Sequence, residues 1–252
     1  METGQHLAAL EREGQLLADA AERGGLDAPV PPCQPWRVKD LLRHIRYIHW
    51  WAGTHVRQAR DRIIDGPSEA ELLAGGPPDA ELLRAYRDGH RALVATLRSA
   101  DPAVSCATFL PAPSPLAFWA RRQAHETAIH RADAELAAGQ VTPFDPEFAA
   151  DGVDELVMGF APRRKPAVRP PADRTLQLNA TDTAAGWHIA IGSGRLQAHR
   201  GHDTADTVVS GPAAGLYLLL WNRQDPQSAG ISVRGDTRAL ALWAKVVQVR
   251  WA

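Results

Sequence analysis

The apolar residues of this chain change their period once, and the change falls at a run of prolines and basic residues. Ala161-Pro162-Arg163-Arg164-Lys165-Pro166-Ala167-Val168-Arg169-Pro170-Pro171 holds four prolines, which suits a linker and neither a helix nor a strand interior. Before it, apolar residues recur at helical spacing: Leu7, Leu10, Leu17 and Ala21, then Leu41, Ile45, Ile48, Ala52 and Val56, then Leu82, Leu83, Tyr86, Leu93 and Leu97. After it they alternate: Leu176 and Leu178, then Trp187, Ile189 and Ile191. A chain of 252 residues has room for one large or two medium domains. The pattern predicts a helical domain over 1–162 followed by a smaller α+β domain over 172–252.

Within the first domain the spacing predicts helices over 3–24, 38–64, 79–99 and 115–138, with a short one at 146–160. Segments 65–79 and 101–115 are rich in Gly or Pro and read as loops. Trp36, Trp50, Trp51 and Trp119 read as packing residues. In the second domain strands are expected near 176–178, 187–191, 196–198, 207–209 and 231–233. Helices over 213–222 and 237–246 would flank an antiparallel sheet.

Charge excludes some functions. The chain has 28 basic and 29 acidic residues, a net charge of −1, so it lacks the basic excess of a nucleic-acid binder. Apolar runs are too short to span a bilayer, and Met1-Glu2-Thr3-Gly4-Gln5-His6 does not read as a signal peptide. Cys33 and Cys106 are the only cysteines; they read as reduced thiols of a cytoplasmic protein, not as a disulfide framework. Arg, Ala, Gly and Pro are abundant while Lys is scarce, a bias that fits a GC-rich bacterial genome.

One spacing carries chemistry. Glu126 and His130 are four residues apart, a rotation of roughly 400°, so they share one helix face. His44 lies in another helical pattern and could complete a site from across a bundle. Two imidazoles and a carboxylate are a common catalytic zinc set with a fourth position open. A surface Glu–His pair is the plainer reading of the spacing alone. His125 precedes His130 by five residues and points about 140° away, which excludes the His-Glu-x-x-His protease pattern. His49 and His55 read as core or surface histidines, Cys33 as a partly buried structural thiol, and His199 and His202 as solvated. Asp133, three residues after His130, could orient its second ring nitrogen or pair with an arginine.

Two blocks resemble a known family. Pro32-Cys33-Gln34-Pro35-Trp36-Arg37-Val38-Lys39-Asp40-Leu41-Leu42-Arg43-His44-Ile45 and Ala124-His125-Glu126-Thr127-Ala128-Ile129-His130-Arg131-Ala132-Asp133-Ala134-Glu135 resemble the mycothiol-dependent maleylpyruvate isomerase-like proteins of the wider DinB-like metalloenzyme group. Asn179-Ala180-Thr181-Asp182, Gly186-Trp187, Leu219-Leu220-Trp221-Asn222-Arg223 and Arg234-Gly235-Asp236 are similar to that family's sterol-carrier-protein-2-like tail. The fold class implied is α plus α+β: a DinB-like four-helix bundle, then a smaller α+β domain. The resemblance implies Zn2+ held by His44, Glu126 and His130, mycothiol as thiol cosubstrate, and Arg223 as a catalytic residue that binds or polarises the substrate. Arg37 stands where the family has Ser or Thr, so the usual N-cap oxygen is missing; Gln34 and Asn222 also depart from its pattern.

The implied chemistry is thiol addition to a conjugated cis double bond, rotation, and elimination of the trans product; S-transfer stops after the addition. Zinc would deprotonate the coordinated thiol. The expected partners are a small-molecule substrate and the thiol, with no nucleic acid or membrane; monomer and homodimer stay open. Two competing functions are a non-catalytic metal-binding or sensor module of the same fold, and a zinc hydrolase using bound water.

Overall fold

A computed structural model describes residues 1–139, 141–163 and 172–247. Most of the expected linker, 164–171, lies outside the described residues. The chain forms two compact units, the first running from Met1 to Thr142 and the second beginning at Pro143.

The first unit contains α1 (Thr3–Gly24), α2 (Val38–Arg57), α3 (Glu69–Ala74), α4 (Asp79–Ser99) and α5 (Pro115–Ala137). α1 packs on α4 and α5, and α2 packs on the same two, closing a four-helix bundle. The apolar stripes read from the sequence meet in its core, where Leu17, Leu41, Leu42, Ile45, Leu82 and Tyr86 are fully buried. α5 is buried on all sides, from Trp119 and Gln123 to Arg131, Asp133 and Glu135. Its polar side chains must therefore find partners inside the bundle. Ser114 starts it by accepting from the Ala117 amide, with Pro115 in the first turn. At the start of α2 the missing cap oxygen is replaced in part: the Arg37 amide donates to Asp40 Oδ2 at 2.9 Å.

Three expectations need correction here. α2 ends at Arg57 rather than near 64, and Ala59 then turns the chain with φ 44°. The strand of chain that follows is pinned back on the helix: the Ile64 amide donates to His55 Nε2 at 3.0 Å, and Trp51 Nε1 donates to the Ile64 carbonyl at 2.9 Å. The segment expected to be loop forms α3, whose capping box joins the Ser68 amide to Glu71 Oε2 (2.9 Å) and the Glu71 amide to Ser68 Oγ (3.3 Å). Trp50 does not pack in the core; it is 51% exposed, beside Tyr47.

The second unit begins with α6 (Pro146–Asp154), which passes through a π-helical turn at Glu155–Phe160. Then come β1 (Arg174–Ala180), β2 (Gly186–Ile191), β3 (Gln197–Arg200), β4 (Thr207–Gly211), α7 (Ala213–Leu220), β5 (Ser232–Gly235) and α8 (Arg238–Val246). The sheet order is β3-β2-β1-β4-β5. It is mixed rather than antiparallel throughout, since β4 runs parallel to β1. Leu176, Leu178, Ile189, Ile191 and Val209 are buried, and α7 and α8 pack on these strands. α6 also belongs to this unit, because it packs on α7 and the Phe144 ring just before it lies 5.3 Å from Tyr217. The units thus part at Thr142, ahead of the boundary expected at 162. No helix among the described residues is long and apolar enough to cross a membrane.

Candidate metal centre

His44 on α2 and Glu126 and His130 on α5 meet inside the first unit. One ligand atom from each lies within 4.8 Å of the other two. His44 Nε2 is 3.3 Å and His130 Nε2 is 3.4 Å from the same carboxylate oxygen, Glu126 Oε1. Zn–N and Zn–O bonds near 2.0–2.1 Å set neighbouring donors of a tetrahedral site about 3.3–3.4 Å apart. The two imidazoles and the carboxylate therefore fit one divalent ion. Glu126 keeps 18% of its side chain exposed, so the cluster is not sealed from solvent.

The neighbouring side chains fix these three donors. His130 Nδ1 donates to Asp133 Oδ2 at 2.9 Å, so a neutral His130 keeps its proton on Nδ1 and directs the Nε2 lone pair at the site. Arg122 Nη2 donates to Glu126 Oε2 at 2.9 Å, leaving Oε1 to face the imidazoles. Cys33 Sγ donates to Asp133 Oδ2 at 3.3 Å. Trp36 forms a wall, its ring 5.2 Å from His44 and 6.5 Å from His130, and its Nε1 donates to Glu69 Oε1 at 2.8 Å.

Burial opposes charge throughout this cluster, and the partners decide which groups carry it. For Glu126 burial pushes upward, but hydrogen bonds from His130 and His44 and the Arg122 charge outweigh it and hold the carboxyl well below its ordinary range. Burial also disfavours the imidazolium of His130, yet Asp133, Cys33 and Glu126 overcome it and hold this group well above the usual value. For His44 burial prevails over the Glu126 hydrogen bond and lowers its pKa. The metal-free cluster is thus a Glu126 carboxylate paired with a His130 imidazolium, beside a neutral His44.

Other candidates fall elsewhere. His49 is a core residue with Nε2 2.9 Å from Thr127 Oγ1, and burial pushes its pKa well below the ordinary value. His55 is buried against Trp51 and Trp119. Arg223, in the second unit, follows the end of α7; its Nη1 donates to the Trp221 carbonyl at 2.7 Å and its guanidinium carbon sits 5.9 Å from the Trp221 ring centre. Sequence reasoning passed over Arg122, although it stands four residues before Glu126, the spacing that selects Glu126 and His130. The Cys33–Asp133 contact spans 100 residues and had no local signal.

Two family models match the chain. One, described as the mycothiol maleylpyruvate isomerase N-terminal domain, matches residues 7–135, and the C-terminal domain of the same family matches residues 147–242. Two crystal structures of mycothiol-dependent maleylpyruvate isomerase, one of them a histidine-to-alanine mutant, share the fold. Each superposes with a TM-score of 0.66 at 15% identity, covering 92% of this chain and 93% of the other. Among curated proteins none matches. With both family domains matched in order along the chain, this protein belongs to the mycothiol maleylpyruvate isomerase family.

Proposed function

We propose that this chain is a metal-dependent enzyme that uses a low-molecular-weight thiol, mycothiol, to isomerise a cis double bond or to transfer sulfur onto an electrophilic, carboxylate-bearing substrate. Family membership supports the thiol and the isomerisation. The observation that carries the metal is the convergence of His44 Nε2 and His130 Nε2 on the single oxygen Glu126 Oε1. Zinc suits this N,N,O set, and when bound it supplies a Lewis acid that deprotonates a thiol at neutral pH.

The chain's own residues do the rest. Asp133 holds the His130 tautomer and Arg122 holds the far oxygen of Glu126. Trp36 excludes water from one side of the site. Arg223 is assigned to the substrate carboxylate or carbonyl, because its guanidinium is permanently charged and grips oxygens in pairs. The reaction is redox-neutral. Sulfur adds to one alkene carbon, the electron pair moves to the substrate's carbonyl oxygen, the single bond rotates, and the C–S bond breaks to return the thiol. In S-transfer the adduct takes up a proton and is released. Free Cys33 and Cys106 fit a reducing, cytoplasmic setting.

Elemental analysis of the purified chain tests the metal, with one zinc equivalent expected at this site and that equivalent lost in His44→Ala and His130→Ala. Turnover of a cis-unsaturated keto acid, with and without mycothiol, tests the nucleophile. Full turnover without any thiol would overturn the thiol mechanism and favour attack by water.

A further inference from the structure

We propose a second divalent-cation site, on the sheet of the second unit, formed by His188, His199 and Asp203. It is independent of the bundle site. His188 on β2 and His199 on β3 face each other directly in the antiparallel register, with ring centroids 5.1 Å apart. His199 Nε2 is 2.8 Å from Asp203 Oδ2. One donor atom from each of the three residues lies within 4.8 Å of the others. Side chains directly opposite on paired strands are held at a fixed separation by the ladder, so the two imidazoles form a preset half of the site.

The third donor is also preset. The loop after β3 is tied down by three hydrogen bonds: the Gly201 amide to the Gly186 carbonyl at 2.9 Å, Gln177 Nε2 to the Gly201 carbonyl at 3.0 Å, and the Asp203 amide to Gln177 Oε1 at 2.9 Å. Gln177 is itself 2% exposed, so a buried side chain dictates where Asp203 stands. The remaining observation is His188: among the described residues its ring makes no hydrogen bond, and its ring contact is with His199. Half-buried, its ring nitrogens are open to a ligand, and imidazole is the commonest metal-binding side chain.

Two imidazole nitrogens and one carboxylate oxygen suit zinc, nickel or copper and not the all-oxygen preference of magnesium or calcium. On binding, His199 Nε2 and an Asp203 carboxylate oxygen join the ion. The His199 and Asp203 side chains are 56% and 59% exposed, so water completes the coordination. The ion clips the 201–203 loop to β2 and β3.

Zinc titration by calorimetry on the untagged full chain tests the site. In a His44→Ala, His130→Ala background one zinc equivalent remains bound. Adding His199→Ala abolishes it, and Asp203→Asn weakens it by about tenfold or more, since loss of even an outer-shell partner costs about 10–100-fold. If the bundle variant does not fold, His199→Ala in the otherwise wild-type chain lowers bound zinc by one equivalent. Amide NMR shifts at Gly201 and Asp203 on zinc addition, absent in His199→Ala, give a readout apart from stoichiometry. Zinc binding unchanged by His199→Ala, or no zinc bound in the bundle variant, overturns the proposal.

Discussion

His130 and Asp133 sit one helical turn apart on α5, with the imidazole Nδ1–H donating to the carboxylate at 2.9 Å. The same oxygen accepts from Cys33 Sγ, so Asp133 is held from two directions and is wholly buried. Replacing Asp133 with Asn leaves shape intact but removes the charge that fixes the His130 tautomer. Zinc affinity is expected to fall about 10–100-fold, as read by competition against a chromophoric chelator. An unchanged affinity would remove Asp133 from the centre.

Metal binding is expected to release a proton. His130 is held protonated by Asp133, Cys33 and Glu126 despite its burial, well above its ordinary 6.5. An ion on Nε2 displaces that proton while the Nδ1–H bond to Asp133 survives. Affinity therefore rises with pH, by about tenfold per unit, until pH passes the raised pKa, and then levels off. Calorimetry near pH 7 in two buffers of different ionisation enthalpy should give about one proton released per zinc. Release of none would contradict the imidazolium assignment.

The stability of the metal-free chain follows the same groups with opposite signs. The raised pKa of His130 contributes stability that is complete below the ordinary 6.5 and is lost as pH rises through the folded value. The depressed pKa of Glu126 contributes stability present above the ordinary 4.5 and lost as pH falls through its folded value. Thermal melts of the chain stripped of metal should accordingly decline on both the acid and the alkaline side, and zinc should restore the alkaline side. A melt that climbs steadily into alkaline pH without metal would sink this account.

Arg131 is the largest buried charge of the bundle. Its Nε donates to Glu13 Oε2, and its Nη1 to Glu135 Oε2 and to the Thr142 carbonyl, each at 2.7 Å. Arg131→Ala leaves buried Glu13 only Arg12 and buried Glu135 only Thr142 among the partners named for them, and removing one partner of a buried charge network costs about 3–5 kcal/mol. Urea unfolding of the metal-free chain measures this. A loss below about 1 kcal/mol, the scale of a surface pair, would show that the network is replaceable.

Arg223→Ala is expected to lower kcat/KM roughly 100-fold, the scale of one charge-assisted contact of about 3 kcal/mol. Zinc content at the bundle site should not change, since its three donors lie in the first unit and Arg223 in the second. A variant with wild-type kcat/KM toward a carboxylate-bearing substrate would strip Arg223 of the role assigned to it.

Local features were legible because they depend on short spacings. Glu126 and His130 are bound to share a face by helix geometry alone. The Ser68–Glu71 box that starts α3 was equally local and was overlooked beneath the Gly and Pro content of its neighbours. The premature end of α2 was not local, since it depends on Trp51 and His55 capturing Ile64 from farther along the chain.

The sequence by itself determined the two periodicities, hence a helical unit followed by an α+β unit, and it placed two candidate donors on one helix. Tertiary structure alone decided that His44 approaches them, because the register between α2 and α5 comes from how their apolar ridges interlock. It alone brought Cys33 to Asp133 and made β4 run parallel to β1, since both join segments far apart in sequence. It also set His188 against His199: alternation puts each on a face, but only the pairing register makes the two histidines neighbours.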